Sequence, residues 1–246
     1  MLRSVFELSP LHERWLSDVC VRAALGSPPR QRSIQVFRNP YMDRWLGRTH
    51  PAVPALLFGP LASAALLFAC RRTAIGGLVG AFLAGLLGLT LLEYLLHRFA
   101  LHRPVGPDRA SRIAAFLRHG YHHVYPSDAG RLVLPPMVTV PFAVVVLLAY
   151  ALVMPVGAAA AAFAGTATGY VAYDSMHWWL HHGRARSRLG RWLKRYHLLH
   201  HHHPDAGRFG VSTPLWDLVF GTYVPTRLPA ASTSRSRARG MNRALN

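Results

Sequence analysis

The 246-residue sequence predicts an all-α integral membrane protein: four transmembrane helices in two hairpins, under a cytoplasmic helical cap that holds a histidine-rich dimetal site. Three observations carry that expectation. Long apolar runs are almost free of charge, the basic residues gather between those runs, and thirteen of the fifteen histidines fall in four short groups beside them.

Residues 1–50 are polar and mixed, and no continuous apolar stretch there has the form of a secretory leader. Within them, residues 10–24 (PLHERWLSDVCVRAA) have the spacing of a short amphipathic helix, suited either to a membrane surface or to packing on the protein itself. Residues 51–228 form the expected membrane domain. Ala52 to Cys70 is uncharged over 19 residues, and Thr73 to Leu96 is apolar except for Glu93. Each approaches the ~20 residues that a spanning helix needs. Only Arg71 and Arg72 separate them, which predicts a tight helical hairpin. Leu132 to Ala172 then runs for 41 residues without a charge. As one helix, at ~1.5 Å per residue, it would be about twice the ~30 Å hydrocarbon thickness. Met154-Pro155-Val156-Gly157 breaks it near the middle and predicts two spans, 134–153 and 156–174. The tail, 229–246, has four arginines and no apolar period, and is expected to be disordered near anionic head groups.

The net charge of +18 invites a nucleic-acid reading, but its distribution does not support one. Lys194 is the only lysine, and the arginines flank apolar runs without any recognition motif or basic helix with interleaved aromatics. With both termini cytoplasmic, the internal segments 1–51, 97–131 and 173–246 hold 26 of the 28 basic residues. Arg71 and Arg72 alone fall on the far side, where long side chains reach head groups. Cys20 and Cys70 make neither a disulfide framework nor a C-x-x-C pair.

The same topology puts every histidine group on the cytoplasmic face. "HRFALH" holds His97 and His102, and "HGYHH" holds His119, His122 and His123. "HWWLHH" holds His177, His181 and His182, and "HLLHH" holds His197, His200 and His201. Positions i, i+3 and i+4 share a helix face, so each HxxHH triplet is expected to aim three imidazoles one way. In HWWLHH the facing pair is His177 and His181, with His182 turned off by about 100°. Ten facing imidazoles exceed the roughly six positions of one first-row ion, which predicts two metals with about five ligands each. No HExxH glutamate points to a zinc protease. Glu93, four residues before His97, and Asp174, three before His177, are placed to accept a ligand's free ring N–H. A salt bridge from Glu93 to Arg98 and a helix-capping role for Asp174 are the structural alternatives. In the run His197 to His203 the helix should end before Pro204, leaving His202 and His203 as outer-layer or surface residues. Trp178, Trp179, Trp192, Phe209 and Trp216 suit a substrate mouth, interfacial anchors or core equally.

Boxes of the form HxxxxH, HxxHH, HxxxHH and HxxHH on a four-span scaffold resemble the fatty acid hydroxylase / sterol desaturase superfamily. Within it the chain is most similar to the fatty acid 2-hydroxylases. The likeness covers about residues 35 to 226, through "EYLLHRFALH" (93–102), "HGYHHVYPSDAGRLVLPP" (119–136), "YDSMHWWLHH" (173–182) and "RYHLLHHHHPDAGRFGVSTPLWDLVFGTY" (195–223). The resemblance implies two iron ions, with zinc able to take their place in purified protein, activating O2 to hydroxylate C2 of a fatty acid or ceramide acyl chain. It implies as ligands His97, His102, His119, His122, His123, His177, His181, His197, His200 and His201; Glu93, Asp174, His182 and His202 are expected around them from their positions alone. Eukaryotic 2-hydroxylases carry an N-terminal cytochrome b5 domain with an HPGG haem motif, which this sequence lacks. A separate electron donor is therefore expected, a ferredoxin or a cytochrome b5-like protein with its reductase. The arginine- and alanine-rich composition fits a bacterial inner membrane. Two other readings stand beside this one: hydroxylation or desaturation of a carotenoid or sterol, and a non-catalytic membrane metal-binding or transport protein. A transporter should carry ionisable groups at mid-membrane, and these spans do not.

Overall fold

A computed structural model describes residues 35–226, and the helix expected at 10–24 and the tail at 229–246 lie outside the described residues. The described chain is all helical. Helix α1 is Pro40–Gly47, α2 Val53–Cys70 and α3 Ile75–Leu95, which continues as a π-helical segment over Leu96–Leu101. Helix α4, Arg109–Ala115, runs through a second π segment, Phe116–Gly120, into the short α5, Tyr121–Val124. Helix α6 is Pro136–Val153, α7 Val156–His182, α8 Arg188–His202 and α9 Leu215–Val219.

The sequence boundaries of the apolar helices hold to within two residues for α2, α3 and α6 and for the start of α7, but α7 runs on to His182 rather than ending at 174. The break falls where Pro155 was expected to place it: α6 ends at Val153 and α7 begins at Val156, with Met154 and Pro155 both extended. Among the described residues, three helices are long and apolar enough to cross a membrane, namely α2, α3 with its π extension to Leu101, and α6. They turn most of their apolar side chains outward. Leu56, Leu67, Leu83, Val145 and Leu152 are all more than half exposed, as side chains facing acyl tails would be.

Helix α7 is built differently. It packs along the lengths of α2 and α3, and to a lesser extent against α6, while α2 and α3 touch each other little. The two helices joined at Arg71 and Arg72 are thus held together mainly by α7 lying between them. From Gly157 to Gly169 nearly every residue of α7 is buried, and most are alanine or glycine. Small side chains let backbones approach closely, which is how helices associate where water cannot drive them together. A Cβ added at Gly165 would lie 2.0 Å from the Phe82 carbonyl oxygen, and one at Gly85 would lie 1.9 Å from that of Ala162. The Thr166 hydroxyl donates to the Gly85 carbonyl at 3.1 Å and pairs with the Tyr150 hydroxyl at 2.9 Å, tying α6 and α3 to α7.

Ahead of the membrane helices, α1 closes over the α4–α5 region. Asn39 caps α1 by accepting from the backbone N–H of Tyr41 and Met42. Asp43 is buried on its inner side, accepts from the N–H of Val36 and Phe37, and pairs with Arg131 at 2.5 Å. Val36 and Phe37 pack on Phe116, Tyr121, Val124 and Tyr125. The segment before α1 is thereby fixed against the segment before α6.

The close approach of α7 to α3 gives the first prediction. Replacing Gly165 by leucine should cost on the order of 3 kcal/mol, read as a large fall in the unfolding temperature of the detergent-solubilised protein. A Gly80→Ala control, where nothing lies within 4 Å of the new Cβ, should be neutral or slightly stabilising.

Candidate metal centre

The first histidine pair depends on a local departure from the α-helix. Residues five apart on an α-helix point about 140° from one another. His97 and His102 are five apart, yet their ring centroids lie 4.9 Å apart. The wider π turn brings them round, and its i→i+5 bond is the His102 N–H donating to the His97 carbonyl at 3.0 Å. A second π turn, closed by the Tyr121 N–H on the Phe116 carbonyl, carries His119 and feeds directly into His122 and His123. Such bulges interrupt regular helices and recur at functional sites.

All ten expected ligands converge, and they do so as two groups of five. One group is His97, His102, His119, His123 and His200; the other is His122, His177, His181, His197 and His201. Within each group, one ring nitrogen per residue lies within 4.8 Å of every other. The grouping cuts across the triplets expected from helical spacing. The HxxHH triplets do not aim three rings at one point. His119 and His123, at i and i+4, join one group while His122 joins the other; His197 and His201 likewise separate from His200. A helical step of 100° between neighbours is enough to aim them at adjacent centres.

The rings meet by their Nε2 atoms. His97 Nε2 is 3.0 Å from that of His119 and 3.2 Å from that of His102, which is 3.1 Å from that of His200. In the other group His177 meets His122 at 3.1 Å, and His197 meets His181 at 2.8 Å and His201 at 3.1 Å. Protons cannot satisfy all of these contacts. Nδ1 of His97 lies 2.5 Å from the Phe209 carbonyl oxygen and Nδ1 of His200 3.1 Å from that of Gly207, so both must donate there. In the neutral ring Nε2 is then a bare lone pair. Nε2 of His97 and of His200 therefore lie as bare lone pairs among the other rings of their group in a buried space, and a cation at that focus satisfies them together. The donor set fits a pair of first-row metal ions.

Burial keeps the rings neutral. It holds His119, His122, His200 and His201 well below the ordinary histidine value, and the neighbouring imidazoles add to the depression. His102 is pushed down to about 2 by burial and then by His97 and His123, and His123 to about 3 by burial and His97. Neutral imidazole is the metal-binding form.

The surrounding residues are placed as follows. Glu93 does not take a ring N–H: its carboxylate accepts from the backbone of Val211 and Ser212 and from the Ser212 hydroxyl. The carbonyl of Phe209 occupies the position at His97 that Glu93 was expected to fill. Arg98 donates to the Tyr94 hydroxyl rather than to Glu93. Asp174 is buried in mid-helix near Tyr170, with one oxygen lacking a hydrogen-bond partner, and it caps nothing. His182 sits at the edge with its ring 5.0 Å from that of Trp178. His202 and His203 are exposed where α8 ends before Pro204. Two contributors escaped the sequence: Asp217, fully buried, and the backbone carbonyls of Gly207 and Phe209. An acidic residue inside the apolar stretch PLWDLVFGTY was the available signal for Asp217.

A cavity of about 210 Å³ reaches the centre at His119, His122 and His177. Its walls are mostly apolar, from Val36, Phe37, Leu117, Val133 and Leu134, with Tyr173 and Asp174 beside the histidines. None of the four tryptophans considered as mouth residues lines it. Trp216 instead donates to Thr90 at 2.9 Å, and Trp192 stacks on Tyr196.

The neutral histidines set a pH dependence. Their folded values lie below the ordinary 6.5, so an unfolded chain binds more protons than the fold as pH falls. Stability is present above about pH 6.5 and is lost progressively below it. The metal-free protein should show an unfolding temperature that drops continuously from pH 7.5 to 5; a flat profile would contradict the neutral, buried cluster.

Comparison with known proteins adds the following. The fatty acid hydroxylase family model matches residues 82–222. A fatty acid 2-hydroxylase of Rattus norvegicus is 41% identical over 154 residues, covering 60% of this chain and 40% of the rat protein. The dihydroceramide fatty acyl 2-hydroxylase FAH2 of Arabidopsis thaliana is 42% identical over 146 residues, covering 59% of this chain and 60% of that protein. The ceramide very long chain fatty acid hydroxylase scs7 of Schizosaccharomyces pombe is 36% identical over 172 residues, covering 69% and 50%. The chain thus spans between two-fifths and three-fifths of the length of these relatives. A solved structure of full-length scs7p, in which only the hydroxylase domain is visible, superposes with a TM-score of 0.76 at 30% identity, over 86% of this chain and 81% of that one.

Proposed function

The chain belongs to the fatty acid hydroxylase family, and from that membership we propose that it is a membrane-bound mono-oxygenase hydroxylating a lipid acyl chain at C2 of a fatty acid or ceramide acyl group. The observation that carries this reading is the pairing of two five-imidazole groups with an apolar cavity that opens onto them. Residues 51–228 form the working domain in this reading. Helices α2, α3 and α6 and the first two-thirds of α7 are its four spans. Both termini and the histidine cap are cytoplasmic, in keeping with the 26 of 28 basic residues carried by those segments.

The ten histidines hold two metal ions, one per group. Iron bound there supplies the activation of O2 needed to insert oxygen into an unactivated C–H bond. The chain itself supplies geometry. The π turn over Leu96–Leu101 and the one over Phe116–Gly120 aim His97, His102 and His119, and the Phe209 and Gly207 carbonyls fix which nitrogen of His97 and His200 is free to bind. Val36, Phe37, Leu117 and Val133 exclude water from the space beside His122 and His177, and orient an acyl tail through contact alone. Two electrons and two protons accompany each O2, one oxygen leaving as water. The electrons come from a separate carrier, a ferredoxin or a cytochrome b5-like protein with its reductase.

Expression in a host that lacks 2-hydroxy lipids, followed by lipid mass spectrometry, tests the reading. With a working electron donor, 2-hydroxyacyl lipids should appear, and the isolated protein should carry two metal ions per chain. His201→Ala should lower product by at least about 100-fold, on the order of 2.7 kcal/mol in the barrier. Metal-loaded protein with a working donor that forms no 2-hydroxyacyl product, or forms a hydroxylated carotenoid or sterol instead, would overturn it.

A further inference from the structure

The two histidine groups are supported unequally. Beside the first group runs the loop 207–213, which begins with two consecutive residues in the left-handed region, Gly207 at φ 102° and Arg208 at φ 65°. A side chain at position 207 would collide with the Thr222 carbonyl oxygen, 2.3 Å from its Cβ. Such a conformation persists only where neighbours over-determine it, and here they do. The Arg208 N–H donates to the Thr222 carbonyl at 3.1 Å, and its guanidinium to Val224 at 3.2 Å.

Two buried carboxylates then take four successive backbone N–H groups. Asp217 accepts from Phe209 and Gly210, each at 2.8 Å. Glu93 accepts from Val211 at 2.6 Å and Ser212 at 3.0 Å through one oxygen, and from the Ser212 hydroxyl through the other. With its donors anchored on these acids, the loop presents the Gly207 and Phe209 carbonyls to Nδ1 of His200 and His97. Both belong to the first group. In the second group, no ring nitrogen bonds a backbone carbonyl or a carboxylate among the described residues. Nδ1 of His197 and of His201 are buried there without a partner, as are both ring nitrogens of His123 in the first group, so the contrast lies in the two carbonyl-bonded rings, His97 and His200.

We infer that Glu93 and Asp217 are positioning residues for the first metal site alone, acting through the loop carbonyls, and that this site binds its metal more tightly than the second. The inference rests on the reading of the ten histidines as two metal sites. A hydrogen-bonded Nδ1 fixes the tautomer and the ring plane before metal arrives, and it raises the basicity of the ligating nitrogen. Loss of such partners typically weakens metal binding ~10–100-fold.

Competitive chelator titration of the full-length zinc-loaded protein in detergent tests it. The unaltered chain should release two equivalents in two affinity classes at least about tenfold apart. His102→Ala should leave only the weaker class, and His181→Ala only the tighter. Glu93→Ala should weaken the tighter class by about 10–100-fold and leave the other unmoved. Glu93→Gln keeps an oxygen for the Val211 and Ser212 N–H groups and should restore near-normal affinity. A residue that merely held the fold together would weaken both classes alike when removed. Equal classes in the unaltered protein, a tight class surviving His102→Ala, or parallel weakening in Glu93→Ala would each overturn the inference. The two histidine variants decide it even where Glu93→Ala does not fold. Fewer than two zinc ions on the unaltered chain would instead sink the two-site reading, and this inference with it.

Discussion

Ten neutral imidazoles must be brought nose to nose in a buried space, and the rest of the molecule answers to that constraint. A buried polar group left without a partner costs free energy, and here Nε2 of His97 and of His200, bare once Nδ1 donates to a carbonyl, are enclosed among the other rings of their group. No single helix can deliver them. The rings arrive from the end of α3, from the α4–α5 stretch, from the end of α7 and from α8, so four chain segments must be held in register. Two of those segments are the ends of long apolar helices, whose packing therefore fixes where the rings meet. The glycine and alanine face of α7 serves this purpose. Backbone-to-backbone contact with α3 leaves little freedom to slide, whereas interleaved leucines would have left some.

Much of this was legible in the sequence because it was written in charge and spacing. An uncharged run of 41 residues with Met-Pro at its centre has few other readings, and the break fell between Val153 and Val156. Histidine grouping, together with the family resemblance, singled out the ten rings that converge. What escaped was whatever depends on geometry other than the regular α-helix. The five-residue spacing of His97 and His102 is off-face on an α-helix and becomes on-face only through the π turn. The division of each HxxHH triplet was likewise hidden, because facing one direction and facing one point look alike until a second point exists. Backbone carbonyls leave no mark in a sequence at all, so the partners of His97 and His200 could not be read from residue types.

Helix α7 shows how composition misleads about surroundings. Its alanines and glycines score as apolar, and by charge and length they read as one more span. In the fold they are the most enclosed part of the bundle, while the leucines and valines of α2, α3 and α6 form the outer surface. Size distinguishes the two environments better than hydropathy: bulky side chains face outward, and small ones mark where another backbone lies against the helix.

The division of the triplets has one more consequence. His122 and His123 are sequence neighbours that serve different groups, and so are His200 and His201. Adjacent Cα atoms are separated by ~3.8 Å whatever the side chains do. The offset between the two centres is therefore gauged twice, on two segments, by covalent bonds rather than by packing. Substitutions elsewhere in the cap can tilt the assembly as a whole, but they cannot easily stretch the interval between its halves. The peptide backbone itself acts as the ruler.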